Sequence, residues 1–310
     1  MDVFPRGRVC WHELSTTDTG AAKAFYPRIT GWTPQVWPED PAYTVWVNGE
    51  TQVGGLMEGS GNANWLPYVA VQDAEATTFR AEALGALIVR PTVQVPSVGR
   101  IAVLEDPQGA VFAILEPEGE APGHDGVPEV GEFSWHELAT TDYDAAMSFY
   151  SALFGWQRGA AMDMGPLGMY QIYSRAGRDL GGIYNKPPEM PAPPQWLCYV
   201  KVKNAGAAAN LARQTGGQVL NGPMEVPGGD LIAQLADPQG APFAVHEVTV
   251  KAAAPAPAPA PKPVRRQPAA PPAAPAARKP VAGKPATTKP AAKKPAAKKP
   301  VKKAARNKKR

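Results

Sequence analysis

Cys10 and Cys198 are the only thiols in a chain of 310 residues. Two cysteines make no disulfide framework and suit a reducing compartment, and neither sits in a metal-binding spacing. No apolar run of about 18 residues occurs, and the segment Met1 to Arg8 lacks the apolar stretch of a signal peptide. No membrane contact is expected, and the chain reads as a soluble, cytoplasmic protein. No glycine-rich phosphate loop follows a strand, and no Ser-His-Asp or Cys-His set is visible by spacing. Acidic residues are missing altogether from 251–310, which holds 18 Lys and Arg, leaving 14 basic against all 28 acidic residues in the preceding 250. An acidic body therefore carries a basic tail.

What the chain does have is repetition. Trp11-His12-Glu13-Leu14-Ser15-Thr16-Thr17-Asp18 returns 124 positions later as Trp135-His136-Glu137-Leu138-Ala139-Thr140-Thr141-Asp142. Asp106-Pro107-Gln108-Gly109-Ala110 returns as Asp237-Pro238-Gln239-Gly240-Ala241. The unit is a whole domain, so the division is 1–116, a linker at 117–131 rich in Gly, Pro and acids, 132–250, and the tail 251–310.

Within each copy a strand, a helix and three short strands follow one another twice. In the first copy a strand over Val9–Ser15 leads to Asp18 as N-cap and a helix bearing Ala21, Ala22 and Phe25. Pro27 is expected to interrupt this helix early, whereas Ser151 in the second copy predicts a longer one, from Ala145 to about Phe154. Strand spacing recurs at Tyr43–Val47, Val53–Met57 and Leu66–Val71, then Asp73 caps a helix over Ala74–Leu84. The fold class is α+β: two tandem domains, each of paired βαβββ modules forming a curved mixed sheet around a cleft, followed by a disordered tail.

The order of elements, Phe25-Tyr26 closing an early helix, Phe154-Gly155-Trp156 and the late Asp-Pro-x-Gly turn resemble the vicinal oxygen chelate superfamily of glyoxalase I, bleomycin-resistance proteins and extradiol dioxygenases. The resemblance covers roughly 8–116 and 132–248. It implies that strand side chains facing each cleft would hold a divalent ion. Its ligand positions fall on Trp11 and Trp135, on Ala113 and Ala244, near Leu66 and Leu197, and near Gly54-Gly55 and Gly181-Gly182. None of these offers a suitable donor. The expectation is a cleft without the metal and without another cofactor, with Trp11, Ala113, Trp135 and Ala244 in the ligand pocket.

Alternation sharpens that reading. If Trp11 faces the cleft, so does Glu13, while His12 and Leu14 face the helix. A one-residue slip would instead bring His12 and His136 into the cleft as fallback metal ligands. Glu13 and Glu137, each beside an indole, are the candidate acid–base groups, and His246 is a third at the mouth of the second cleft. The bland alternative is that the glutamates only accept hydrogen bonds and shape the fold. Glu116 and Glu247 read as rim charges, and the glycine pairs as tight bends or close backbone approaches. Half of the strand aromatics Trp37, Tyr43, Trp46, Trp65, Tyr68, Tyr170, Tyr173, Trp196 and Tyr199 are expected in the core. The rest suit a small, flat, partly aromatic ligand.

The tail is similar to those of linker histones and bacterial histone-like proteins, and predicts non-specific nucleic-acid binding and a nucleoid association. Three readings follow: a small-molecule-binding protein tethered to nucleic acid, a metal-dependent glyoxalase-like lyase or dioxygenase-like oxidoreductase, or domains that are only a scaffold for a functional tail. In each, the two domains are expected to pack as an intrachain pseudo-dimer.

Overall fold

The computed structural model describes residues 6–249; the expectations for 251–310 lie outside them. Asp18 accepts from the Ala21 amide at 2.8 Å and starts a helix directly after the first strand. The first copy runs β1 (Val9–Thr16), α1 (Thr19–Thr30), β2 (Thr33–Trp37), β3 (Asp40–Asn48), β4 (Thr51–Glu58), β5 (Asn64–Ala70), α2 (Ala74–Ala83), β6 (Leu87–Val95), β7 (Gly99–Glu105) and β8 (Val111–Pro117). The second runs β9 (Phe133–Thr140), α3 (Tyr143–Phe154), β10 (Gln157–Asp163), β11 (Met169–Arg175), β12 (Arg178–Asn185), β13 (Gln195–Lys201), α4 (Ala205–Gln214), β14 (Gln218–Glu225), β15 (Leu231–Ala236) and β16 (Pro242–Glu247).

Each copy forms one eight-stranded mixed sheet, in the orders β2-β3-β4-β1-β5-β8-β7-β6 and β10-β11-β12-β9-β13-β16-β15-β14. The repeated octapeptide is thus the central strand of each sheet. It runs parallel to β4 or β12 on one side and antiparallel to β5 or β13 on the other.

Pro27 does not shorten its helix: α1 and α3 both span 12 residues. A proline removes one backbone donor, and here it does so near the C-terminal end. The burial of Phe25 and Tyr26 before it and Ile29 after it offsets that loss, and the Gly31 amide closes the end on the Pro27 carbonyl at 3.0 Å.

The helices show how the copies combine. The side chains of α1 share a core with those of α4, β15 and β16 from the other copy, and α3 shares one with α2, β7 and β8. Each major core is therefore built half from each copy. Two matching hydrogen-bond chains cross between them. Trp65 donates to the Tyr26 hydroxyl, which donates to Asp237; Trp196 donates to the Tyr150 hydroxyl, which donates to Asp106. The same aspartates hold their own Asp-Pro-Gln-Gly turns by accepting two backbone amides each. That double duty explains why this motif and the Phe-Tyr motif both recur.

Candidate functional site

On β1, Leu14 is fully buried beneath the helices. Alternation therefore turns Trp11 and Glu13 to the helix-free face of the sheet, where Trp11 packs with Leu66, Tyr68 and Ala113. On β9, Trp135 likewise packs with Leu197, Tyr199 and Ala244.

Each glutamate is held by two phenols. Tyr43, from β3, and Tyr68, from β5, donate to the two oxygens of Glu13, both at 2.9 Å. Tyr170 and Tyr199 do the same to Glu137 at 2.8 and 2.7 Å. The Trp11 indole donates in turn to the Tyr43 hydroxyl, and the Trp135 indole to Tyr170. Burial pushes both carboxyls above the usual range, against the tyrosine bonds that favour their ionised form. The same burial, reinforced by the neighbouring glutamate, raises all four phenols.

The glycine pairs make this possible. Tyr43 reaches Glu13 by lying across Gly55 of β4, and Tyr170 lies across Gly182 of β12. A methyl group at either glycine would overlap the ring. This is the close approach the glycines suggest in sequence, and the tyrosine is what approaches. The four phenols read in sequence as wall or core; nothing there pairs them with the glutamates, because Tyr43 comes from a strand two places away.

The positions at which the family resemblance places metal ligands carry an indole, a leucine, an alanine and a glycine in each cleft. The carboxylate nearest them has both oxygens occupied by tyrosine hydroxyls. This donor set does not fit a divalent cation, which needs three or more convergent protein ligands. The fallback ligands His12 and His136 do not enter the clefts: they project from the faces of their strands opposite Glu13 and Glu137, and meet each other and Cys198 instead at the junction of the copies.

His246 lies on β16 two residues from Ala244. Its Nδ1 is 3.0 Å from the Ser134 hydroxyl and its Nε2 3.1 Å from Asp230. A Ser-His-Asp chain is therefore assembled from residues too scattered to be seen by spacing. Burial acts to raise the Asp230 carboxyl, but its bonds from His246 and the Thr249 amide outweigh that and hold it low. Glu116 and Glu247 are not rim charges. They accept the Ala74 and Ala205 amides, both at 2.8 Å, and so complete the N-termini of α2 and α4.

His12 and His136 face inward and meet at the junction of the two copies, Nε2 to Nε2 at 2.7 Å. Both are buried. Desolvation lowers His12 well below the ordinary imidazole value and brings His136 down to about 4. A repeated residue close to a pseudo-two-fold axis can meet its own copy, and the duplicated His12 and His136 carry that signal in the sequence. A cavity of about 100 Å³ adjoins the pair.

Against known proteins, residues 132–245 match the family model of the glyoxalase/bleomycin resistance protein/dioxygenase superfamily. The chain is 31% identical over 252 residues to CFP32 of Mycobacterium tuberculosis (strain CDC 1551 / Oshkosh), which carries a glyoxylase name. That match covers 78% of this chain and 95% of CFP32. It is also 31% identical over 270 residues to the anthracycline biosynthesis protein DauV of Streptomyces sp. (strain C5), covering 80% of this chain and 96% of DauV. In fold it is similar to the Mn(II)-bound glyoxalase of Novosphingobium aromaticivorans, with TM-score 0.58 and 15% identity over 79% of this chain and 83% of that one. It is similar too to the 2,3-dioxygenase LapB of Pseudomonas sp. KL28, with TM-score 0.58 and 13% identity over 79% and 94%. With two such sheets in tandem and relatives matched along nearly their whole length, the chain belongs to the glyoxalase/bleomycin resistance protein/dioxygenase superfamily.

Proposed function

We propose that each cleft binds a small, flat, partly aromatic molecule without a metal ion, and that Glu13 and Glu137 exchange hydrogen bonds or a proton with it. The observation that carries this reading is the carboxyl clasped by two phenols beside an indole. Its raised pKa allows it to keep a proton where a surface glutamate would not, and the tyrosines relay that proton towards a ligand oxygen. Ala113 and Ala244, with Leu66 and Leu197, leave an apolar floor beside the indole that suits a ring system. The relatives named for anthracycline biosynthesis support a ligand of that shape. Ser134, His246 and Asp230 give the second cleft an additional acid–base group, so chemistry is assigned there.

A fluorescent anthracycline titrated into the full chain tests this. Saturable quenching of tryptophan emission is expected, with Glu13→Gln and Glu137→Gln each weakening one class of site by about tenfold, the equivalent of one hydrogen bond at 1.4 kcal/mol. Unchanged binding in both variants would overturn it. So would stoichiometric manganese or iron that is lost in those same variants, since that result belongs to the lyase or dioxygenase reading.

The segment 251–310 is proposed to contact nucleic acid through its 18 basic residues. Binding to duplex DNA should fall steeply with salt and vanish in a chain ending at 250. Equal binding by the shortened chain would remove this part of the proposal.

A further inference from the structure

The histidine pair at the junction has an unusual hydrogen-bond arrangement. His136 Nδ1 lies 3.4 Å from the Leu180 carbonyl. A carbonyl can only accept, so His136 uses Nδ1–H for Leu180 and is set in the tautomer whose Nε2 carries a lone pair. That lone pair faces the His12 Nε2 across 2.7 Å, in rings inclined by only 9°. An Nε2–H of neutral His12, an added proton shared by the two rings, or a metal ion each complete this contact.

Burial opposes the added proton. It would create an imidazolium in the core, and the cluster contains no carboxylate to balance it. A third donor is present instead. Cys198 pairs with His136 across the sheet, and its Sγ and the two imidazole nitrogens all lie within 4.8 Å of one another. The backbone bond at His136 Nδ1 is also of the kind that orients a metal-ligating imidazole. We propose that His12, His136 and Cys198 together hold one monovalent copper ion at the junction of the two copies.

Charge and coordination number select the ion. A thiolate and a monovalent ion make a neutral centre, which a buried position tolerates, and thiolate ligands select soft ions such as Cu(I), or zinc, over harder ones. Zinc would leave one net positive charge and calls for four ligands. On the first copy Pro67 occupies the place of Cys198, paired with His12, so the two-fold does not supply a second thiol. No further His, Cys, Asp or Glu joins the cluster among the described residues. For metal–nitrogen bonds of about 2.0 Å at trigonal angles, the nitrogens must part to about 3.4 Å. That is a few tenths of an ångström per ring. The adjoining cavity is lined by both histidines and by Gln52 and Asp179, and provides an entry path. Binding exchanges the thiol proton for the ion: Cu⁺ displaces H⁺ from Cys198, a copper–sulfur bond forms, the proton leaves to solvent, and no oxidation state changes.

Anaerobic titration of the full chain with Cu(I) against a chromophoric copper chelator tests the site. One equivalent should be withdrawn from the chelator, and copper X-ray absorption should show two nitrogen neighbours and one sulfur. Cys198→Ser should weaken binding by about 100-fold or more, and Cys10→Ser should leave it unchanged. Circular dichroism establishes that each variant is folded; should His12→Gln fail to fold, Cys198→Ser and Cys198→Ala decide alone. No withdrawal by the wild-type chain, equal withdrawal by both Cys198 variants, or one equivalent of zinc bound in preference to copper would each overturn the assignment. A protected, strongly downfield proton resonance persisting with excess Cu(I) would give the histidine pair to a shared proton instead. Glu13 and Glu137 project from the opposite faces of their strands, so failure here leaves the cleft reading standing, and the reverse also holds.

Discussion

The two clefts share a tyrosine-clasped glutamate beside an indole and differ in the polar groups around it. In the second, Gln234 donates to the Tyr199 hydroxyl at 3.2 Å, whereas the corresponding position in the first is the apolar Val103. His246, Ser134 and Asp230 in the second answer to Leu115, Cys10 and Gly99 in the first. The first has the Arg90 guanidinium, whose charge favours the ionised form of Glu13. What the copies kept is the indole, the carboxyl, the two phenols and the glycine beneath one of them. What they changed is the polar setting, so the shared part is the clasp and the divergent part tunes it.

The largest effect is expected from Gly182→Ala. The added methyl overlaps the Tyr170 ring, so the second clasp should open and the chain lose about 3 kcal/mol or more, while the first cleft keeps its ligand site. Thermal melting and the anthracycline titration report the two parts separately. If the variant melts like wild type, the tyrosine does not need that glycine.

Gln108→Ala and Gln239→Ala come next, and they should differ. The Gln108 Oε1 accepts from the Thr140 and Thr141 hydroxyls and from the Thr141 and Asp142 amides, joining a turn of the first copy to the start of α3. The Gln239 Oε1 is buried with no partner among the described residues. Chemical denaturation should show a loss of about 1–2 kcal/mol for Gln108→Ala, and no loss or a small gain for Gln239→Ala. Equal losses would erase the asymmetry.

The pH dependence should be smaller. A carboxyl raised in the folded state binds more protons there than in the unfolded chain. Its contribution to stability is therefore full below the ordinary glutamate range and is lost as pH rises through the raised value. The double variant Glu13→Gln, Glu137→Gln should lose this fall in melting temperature between acid and neutral pH. A profile parallel to wild type would contradict it. Gln234→Val, which makes the second cleft resemble the first, is the mildest change. It should weaken ligand binding there by no more than about tenfold, the worth of one hydrogen bond to a phenol.

Much of this was legible in the sequence. The octapeptide and the Asp-Pro-Gln-Gly turn gave the duplication, and Leu14 fixed which face of the strand carries the glutamate. Local signals failed where distant residues take over. Pro27 is a helix breaker by itself, but its helix is held by side chains from the other copy. Ser134, His246 and Asp230 are joined only once β16 runs back beside the second central strand's neighbour, β13. The clasp depends on a tyrosine leaning over an intervening strand, and strand alternation says nothing about reach.

The crosswise cores carry a consequence for ancestry. A single copy with this packing would leave α1 without the α4 it rests on and α2 without α3, so it would have been obliged to pair with its twin. Joining two such chains end to end fixes their ratio at one to one and releases each from having to match itself. One side carries a proline, Pro67, where its sibling carries a thiol, Cys198.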